Sequence, residues 1–398
     1  MKRVRATALL TLGGMLALLC GGGAYASPMT FTAAEQRQIL SHGPWPPPPA
    51  LDAGNAVAGQ PQAIALGQQL FFDTRLSPDG SLSCASCHLP TKGLADGRPR
   101  AIGSVPLDRN TPSLWNAVHE RWYGWDGAAD SLWSQAIRPL LDTRELASNA
   151  DHVARTLAGD PDLACRYRQV FGSAPSADPP RALVNAAKAL GAFTGSLVSG
   201  RTSFDDFRDA LQRGDHRAAA RYPLAAQRGL RLFIGRGQCS VCHTGPMFSN
   251  GEFGDTGLPF FTRPGVVDPG RHGGIAALQA SPYTLLSAWS DARDTASTVK
   301  TRHVMAQPRN FGEFKVPSLR NVANTAPYMH DGQLATLRDV VAHYSNLNLE
   351  RLHADGEQIL KPLHLSPQEG ADLLAFLQTL SDTQATRWKP RPRPPCRP

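Results

Sequence analysis

The sequence predicts a mostly α-helical protein built of two tandem domains with long loops. Three observations predict it. The pentapeptide Cys84-Ala85-Ser86-Cys87-His88 recurs as Cys239-Ser240-Val241-Cys242-His243. Residues around the two copies repeat in the same order and spacing. Apolar residues between them fall at helical intervals, and the aperiodic stretches are rich in Gly and Pro. C-x-x-C-H is the attachment signature of c-type haem. Its thiols add to the haem vinyl groups, and its histidine lies beneath the iron as proximal ligand. Two copies therefore predict two c-type cytochrome domains and two covalently bound haems. A redox C-x-x-C that happens to precede a histidine is the competing reading of one copy; a second copy behind an export signal weakens it.

A chain of 398 residues suits two domains, and 41% hydrophobic content allows each a core. Lys2, Arg3 and Arg5 precede an apolar run over residues 6–19, and Ala24-Tyr25-Ala26 follows as a small-residue cleavage site. Residues 1–26 are read as a signal peptide, with Ser27 the mature start and the periplasm the expected location. The run falls short of the roughly 20 apolar residues a membrane anchor needs. Cys20 raises a lipid anchor as an alternative, but Leu19 is a poor residue before a lipidated cysteine. No other stretch suits a membrane span. Losing the three basic residues of the leader takes the formal charge from +8 to +5, far from a nucleic-acid footprint. An acidic protein partner would suit it, as would plain solubility. Cys165 and Cys396 remain after the haem cysteines; an oxidising compartment would let them pair, though nothing in the sequence brings them together.

Residues 27–215 are expected to form the first domain, 216–388 the second, and 389–398 a disordered basic tail. In order, 43–49 is proline-rich and extended, and 63–72 is a helix leading to the first pentapeptide. Residues 110–138 read as packed loops ending in a short helix. Helices follow at 148–157 and 180–198, where Leu183, Ala187, Leu190, Phe193 and Leu197 keep helical spacing. A helix at 224–234 leads to the second pentapeptide. Residues 251–309 read as one long loop. Thr336 with Asp339 marks a helix start, and Ser366-Pro367-Gln368-Glu369 is a capping box opening a helix to about residue 380.

The repeat extends beyond the haem motifs. Gly67, Leu70 and Phe71 are spaced as Gly229, Leu232 and Phe233 are. Pro112-Ser113-Leu114-x-Asn116 matches Pro317-Ser318-Leu319-x-Asn321, Trp125-Asp126-Gly127 matches His330-Asp331-Gly332, and Ser131-Leu132 matches Thr336-Leu337. A duplicated domain explains the series. Continuing the register sets Pro139 opposite Tyr344. If this position lies over each haem, proline offers the first iron no donor, whereas a tyrosine phenolate suits a highly oxidised second iron. The plainer readings are a helix stop for Pro139 and a packed helix residue for Tyr344.

Phe71-Phe72-Asp73-Thr74-Arg75-Leu76-Ser77, residues 83–88, 110–117, Trp125-Asp126-Gly127, 315–322 and 326–332 together resemble the bacterial dihaem cytochrome c peroxidases, including their MauG-like branch. The resemblance spans about residues 64–380. It implies that His88 is the proximal ligand of a peroxidatic haem, with Gln135 and Glu145 as its distal polar residues and Pro139 over its iron. It implies that Trp125 lies between the haems, that His243 is the proximal ligand of the second haem, and that Tyr344 is its distal ligand, as in MauG-like members. Asn110, Thr325 and Pro327 match positions that hold a calcium ion between the domains. Two departures matter. Ordinary members cap the peroxidatic haem with a histidine after Ile-Gly, but Ile102-Gly103 is followed by Ser104. MauG proteins carry a tryptophan before the second haem motif, where Gly237 and Gln238 stand.

The expected chemistry is reduction of hydrogen peroxide, with Glu145 as general base and acid, Gln135 holding the peroxide, and Trp125 passing electrons. Tyr344 would help store oxidising equivalents on the second metal. The electron source would be a redox protein or a protein side chain. Outside the resemblance, Glu145, Gln135 and Trp125 read as a solvated carboxylate, a surface amide and a core indole. Met247, Met305 and Met329 are rival sulfur ligands, and His119 is a rival cap for the first haem. The other class of function is a dihaem electron carrier without peroxide chemistry, which would want both irons closed.

Overall fold

A computed structural model describes residues 29–48, 52–259, 261–263, 265–351, 359–392 and 394–396. The expected signal peptide lies outside the described residues. The described chain is mostly helical. In its first half, α1 (Ala33–Leu40) opens with a reciprocal cap between Thr32 and Glu35. α2 (Pro61–Phe71) starts on a proline, whose missing N–H costs nothing at a first helical position. It leads to α3 (Cys84–Cys87), a single turn carrying both thiols of the first pentapeptide. After a run of loops come α4 (Leu132–Leu141), α5 (Ala150–Gly159), α6 (Pro161–Phe171) and the long α7 (Pro179–Gly195). α8 (Ser203–Gln212) and the short α9 (His216–Ala219) follow.

The second half contains α10 (Leu224–Ile234), α11 (Arg271–Ala280), α12 (Thr295–His303), α13 (Leu337–Ser345) and α14 (Pro367–Gln378). Thr336 with Asp339 and Ser366 with Glu369 form the expected caps of α13 and α14. The sheet content is slight. β1 (Phe253–Gly254), β2 (Phe261–Arg263), β3 (Val266–Val267) and β4 (Phe314–Lys315) make two antiparallel pairs, β1 with β4 and β2 with β3. Residues 251–309 are thus not one loop. They hold α11, α12 and a hairpin; both helices are short, and α12 buries only Thr298 and Thr301, so no apolar periodicity marks it.

The repeat is visible in how helices cross. α2 meets α7 at Gly67, where an added Cβ would overlap the Ala189 carbonyl. α10 meets α14 at Gly229, where a Cβ would overlap the Asp372 carbonyl. Each glycine recurs because two backbones touch there. Gly229→Ala should therefore lower the unfolding free energy by about 1–3 kcal/mol in urea denaturation of the holoprotein; a loss below about 0.5 kcal/mol, the ordinary surface range, would contradict this close crossing.

Buried residues fall into two main clusters. Leu66, Leu70, Phe71, Leu190 and Phe193 belong to one, and Phe204, Phe233, Phe248 and Phe376 to the other. The division lies between Leu197 and Phe204 rather than at 215/216, because α8 buries Phe204 and Phe207 in the second cluster. The ends of the chain cross over. Phe31 and Ile39 join the second cluster, while Ala385 and Trp388 pack on the first. The tail is held, not disordered, where it is described. Gln68 donates to the Arg391 carbonyl (2.8 Å), Arg166 to the Pro394 carbonyl (2.6 Å), and Cys396 forms a disulfide with Cys165. Composition suggested disorder, but a covalent tether overrides composition.

Candidate active site

Each pentapeptide folds as one tight turn that returns the histidine N–H to the first cysteine carbonyl, at 3.0 Å for His88 and 2.9 Å for His243. None of the four cysteines forms a disulfide. Each imidazole is aimed the same way. Nδ1 of His88 lies 2.9 Å from the Leu94 carbonyl, and Nδ1 of His243 lies 2.9 Å from the Phe248 carbonyl. A carbonyl only accepts, so Nδ1 carries the proton and Nε2 keeps its lone pair for a metal. Both carbonyls come from residues with left-handed backbone, φ 59° at Leu94 and 51° at Phe248. Ser113 and Ser318 brace these turns by donating to the Gly93 and Met247 carbonyls, each at 2.7 Å. Burial pushes both imidazoles below their ordinary pKa, which favours the neutral ligand form. No sequence signal marks Leu94 or Phe248, since any residue supplies a carbonyl.

A cavity of about 470 Å³ is lined by His88, Cys84 and Cys87 together with Gln135, Pro139 and Glu145. α4 presents Gln135 and Pro139 four residues apart, hence on one face. Glu145 sits in the turn that follows, where its N–H donates to the Asp142 carbonyl (2.9 Å). Burial, with Asp142 nearby, raises the Glu145 pKa above the usual carboxylate value against the opposing pull of Arg138 and Arg144. Ser104 does not line this cavity. Its N–H donates to the Arg144 carbonyl (2.9 Å) and its hydroxyl to the Thr143 carbonyl (3.0 Å). His119 is also outside the lining and lies edge-on to Trp45 at 5.8 Å.

A second cavity, about 220 Å³, is lined by His243, Cys239 and Tyr344. Tyr344 is the eighth residue of α13, as Pro139 is of α4. The register around them is physical. Asn116 (φ 66°) and Asn321 (φ 64°) donate their N–H groups to the Leu197 and Leu380 carbonyls at 2.8 and 2.9 Å. Tyr123 bridges Ala129 as Tyr328 bridges Leu334. Burial pushes the Tyr344 phenol well above its ordinary pKa, and Asp255 pushes it the same way. A phenolate there needs a cation to hold it. Of the rival ligands, Met329 lines this cavity, Met247 does not, and Met305 is 72% exposed. A side chain at 237 is excluded by close backbone: a Cβ there would lie 2.7 Å from the Leu232 carbonyl.

Trp125 lines both cavities. Its indole N–H donates to the Asn110 carbonyl (2.8 Å), and its own carbonyl accepts from the Lys315 N–H (2.8 Å). Asn110 also lines both and donates through Nδ2 to the Arg98 carbonyl (2.7 Å); Thr325 and Pro327 line the second. No cluster of three or more His, Cys, Asp or Glu side chains suited to a metal occurs among the described residues; Asn110, Thr325 and Pro327 themselves offer only neutral oxygens. Sequence reasoning missed the ion pair of buried Lys315 with half-buried Glu120, whose members line both cavities. It also missed Arg109, which bridges Asp126 (2.6 Å) beside Trp125 to Asp268 (2.7 Å) on the far loop.

Two cysteine pairs, each followed by an imidazole with Nε2 to spare, and two cavities that share Trp125 among their lining suit a dihaem c-type protein. A family model described as di-haem cytochrome c peroxidase matches residues 61–213. The methylamine utilization protein MauG of Methylorubrum extorquens is 35% identical over 378 residues, covering 94% of this chain and 93% of that protein. The cytochrome-c peroxidase IdrP1 of Denitromonas iodatirespirans is 37% identical over 359 residues, covering 88% and 89%. The crystal structure of a MauG-like protein associated with microbial copper homeostasis superposes with a TM-score of 0.66 at 29% identity, covering 86% of this chain and 97% of that one. The chain belongs to the di-haem cytochrome c peroxidase family. It carries two covalently bound c-type haems and is a peroxidase-like oxidoreductase. Among the described residues no helix is long and apolar enough to cross a membrane.

Proposed function

We propose that the protein reduces hydrogen peroxide at the site of His88, drawing electrons from a redox protein or a protein side chain through the site of His243. The observation that carries this reading is the unequal eighth residue of α4 and α13: Pro139, without a donor, lines the His88 cavity, and Tyr344 lines the His243 cavity. The two helical sets are tandem cytochrome c domains, the leader exports the chain to the periplasm, and Asn110, Thr325 and Pro327 hold a calcium ion between the domains. Bound haem supplies, at His88, the iron that accepts electrons and passes them to peroxide.

The chain's own residues do the rest. Pro139, which lines the His88 cavity and has no side-chain donor, would leave room there for peroxide. The Gln135 amide holds the bound peroxide by hydrogen bonds. Glu145 takes the proton from the oxygen that stays and delivers it to the oxygen that leaves as water. Trp125 carries electrons between the sites, with its indole held by the Asn110 carbonyl. Tyr344, which lines the second cavity with His243, would close that site to peroxide and would offer its phenolate oxygen to the metal held there. Two electrons and two protons complete the reduction of H2O2 to two waters. Ser104, tied to the 143–144 backbone and outside the His88 cavity, would not have to withdraw before peroxide enters.

The test is EPR and optical spectroscopy of the resting ferric holoprotein, before and after one equivalent of H2O2. One high-spin and one low-spin haem, followed by a long-lived oxidised state, are expected. Two low-spin haems inert to peroxide would instead identify an electron carrier. Elemental analysis of the same sample should find one calcium per chain; none would remove the calcium assignment.

A further inference from the structure

Away from both haem sites, a cleft of about 600 Å³ opens between the 121–122 loop, β1, α11 and α12. Two cations meet on one indole there. The Arg271 guanidinium lies 4.3 Å from the Trp122 ring and 4.1 Å from the Phe253 ring, and the Lys300 ammonium lies 5.2 Å from Trp122. Arg271 is 4% exposed. Neither cation has a carboxylate partner among the described residues. Arg271 donates to the Asp126 and Gly127 carbonyls (3.1 and 2.8 Å), and Lys300 to the Arg121 and Asp130 carbonyls. The cleft's own carboxylates are held along its wall, Glu252 by Arg121 at 2.6 Å and Glu313 by the Asn310 amide at 2.8 Å, and neither is ion-paired with Arg271 or Lys300.

Like charges brought together out of water call for an anion between them. Burial lowers the Arg271 pKa to about 10 against the pull of Asp126, Glu252 and Glu313. The room available exceeds what an inorganic ion fills and falls in the range of small-molecule sites. The walls are apolar at Trp122, Phe253 and Val299. A planar guanidinium between two rings suits a carboxylate better than a point charge would. We propose that this cleft binds a small aromatic carboxylate, with its carboxylate at Arg271 and Lys300 and its ring against Trp122 and Val299.

The test is titration calorimetry of the ferric holoprotein with benzoate and, separately, with inorganic phosphate. Benzoate should bind once per chain, at least about tenfold tighter than phosphate, and leave the haem absorption unchanged. Val299→Trp fills the cleft from its exposed side and should weaken benzoate at least about tenfold with haem spectra and melting temperature preserved. Arg271→Lys keeps the charge, loses the planar fork and should weaken it similarly. Absent benzoate binding, binding accompanied by a haem spectral shift, phosphate binding as tight as benzoate, or benzoate binding untouched by Val299→Trp would each overturn the proposal.

Discussion

Replacing Tyr344 by Phe should leave both haems attached and abolish the long-lived state formed with peroxide. Attachment depends on Cys84, Cys87, Cys239 and Cys242, and the Nδ1 bond that orients His243 runs to the Phe248 carbonyl, away from the phenol. Removing only the hydroxyl keeps the ring that fills the cavity lined by His243. What goes is the oxygen proposed to meet the second metal. The low-spin EPR signal of the second haem should disappear, and the oxidised state should decay at least about tenfold faster, equivalent to ~1.4 kcal/mol of lost barrier. Unchanged spectra and lifetime would show that another group, with Met329 the nearest rival in the same cavity, closes that site. The structure sharpens the test. Burial favours the protonated phenol at Tyr344, so its ionisation in the holoprotein reports contact with the metal rather than a general property of the pocket.

Glu145→Gln should lower kcat/KM for peroxide by about 10²–10⁴-fold, the usual worth of a positioned proton carrier. Gln is isosteric and still donates and accepts hydrogen bonds, so the resting spectrum should hardly change. The wild-type pH profile carries a second signature. A base works only when deprotonated, and burial raises the Glu145 pKa above the ordinary carboxylate value. Activity should therefore rise with pH through an apparent pKa above that of a solvent-exposed glutamate. The limb should vanish in Glu145→Gln. A variant retaining wild-type kcat/KM, or an acid limb that survives the substitution, would remove Glu145 from the proton path.

Much of the site was legible before folding because its logic is local. C-x-x-C-H needs only one turn to place thiols and imidazole, and both copies make that turn. Capping residues marked the starts of α13 and α14 since their partners lie three positions away. The repeat register survived because it rests on paired glycines, asparagines and tyrosines that make the same contacts in each half. The failures were of another kind. Residues 251–309 read as a loop, yet α11 packs against the turn after Trp125 through Arg271. The boundary drawn at 215/216 overlooked that α8 is amphipathic toward the second core.

The sequence by itself determined the covalent chemistry, the helices leading into each pentapeptide, the capped starts of α13 and α14, and the unequal residues at the repeated position, Pro139 and Tyr344. Each follows from residues within a few positions of one another or from matched spacing. Only the tertiary structure decided what those residues face. It gave His88 and His243 their acceptor carbonyls, turned Ser104 away from the first cavity, and set Trp125 and the Lys315–Glu120 pair between the two. It also joined Cys165 to Cys396 across 231 positions. Such contacts depend on how whole helices cross, and pairings that distant leave no periodicity or spacing to read along a single chain.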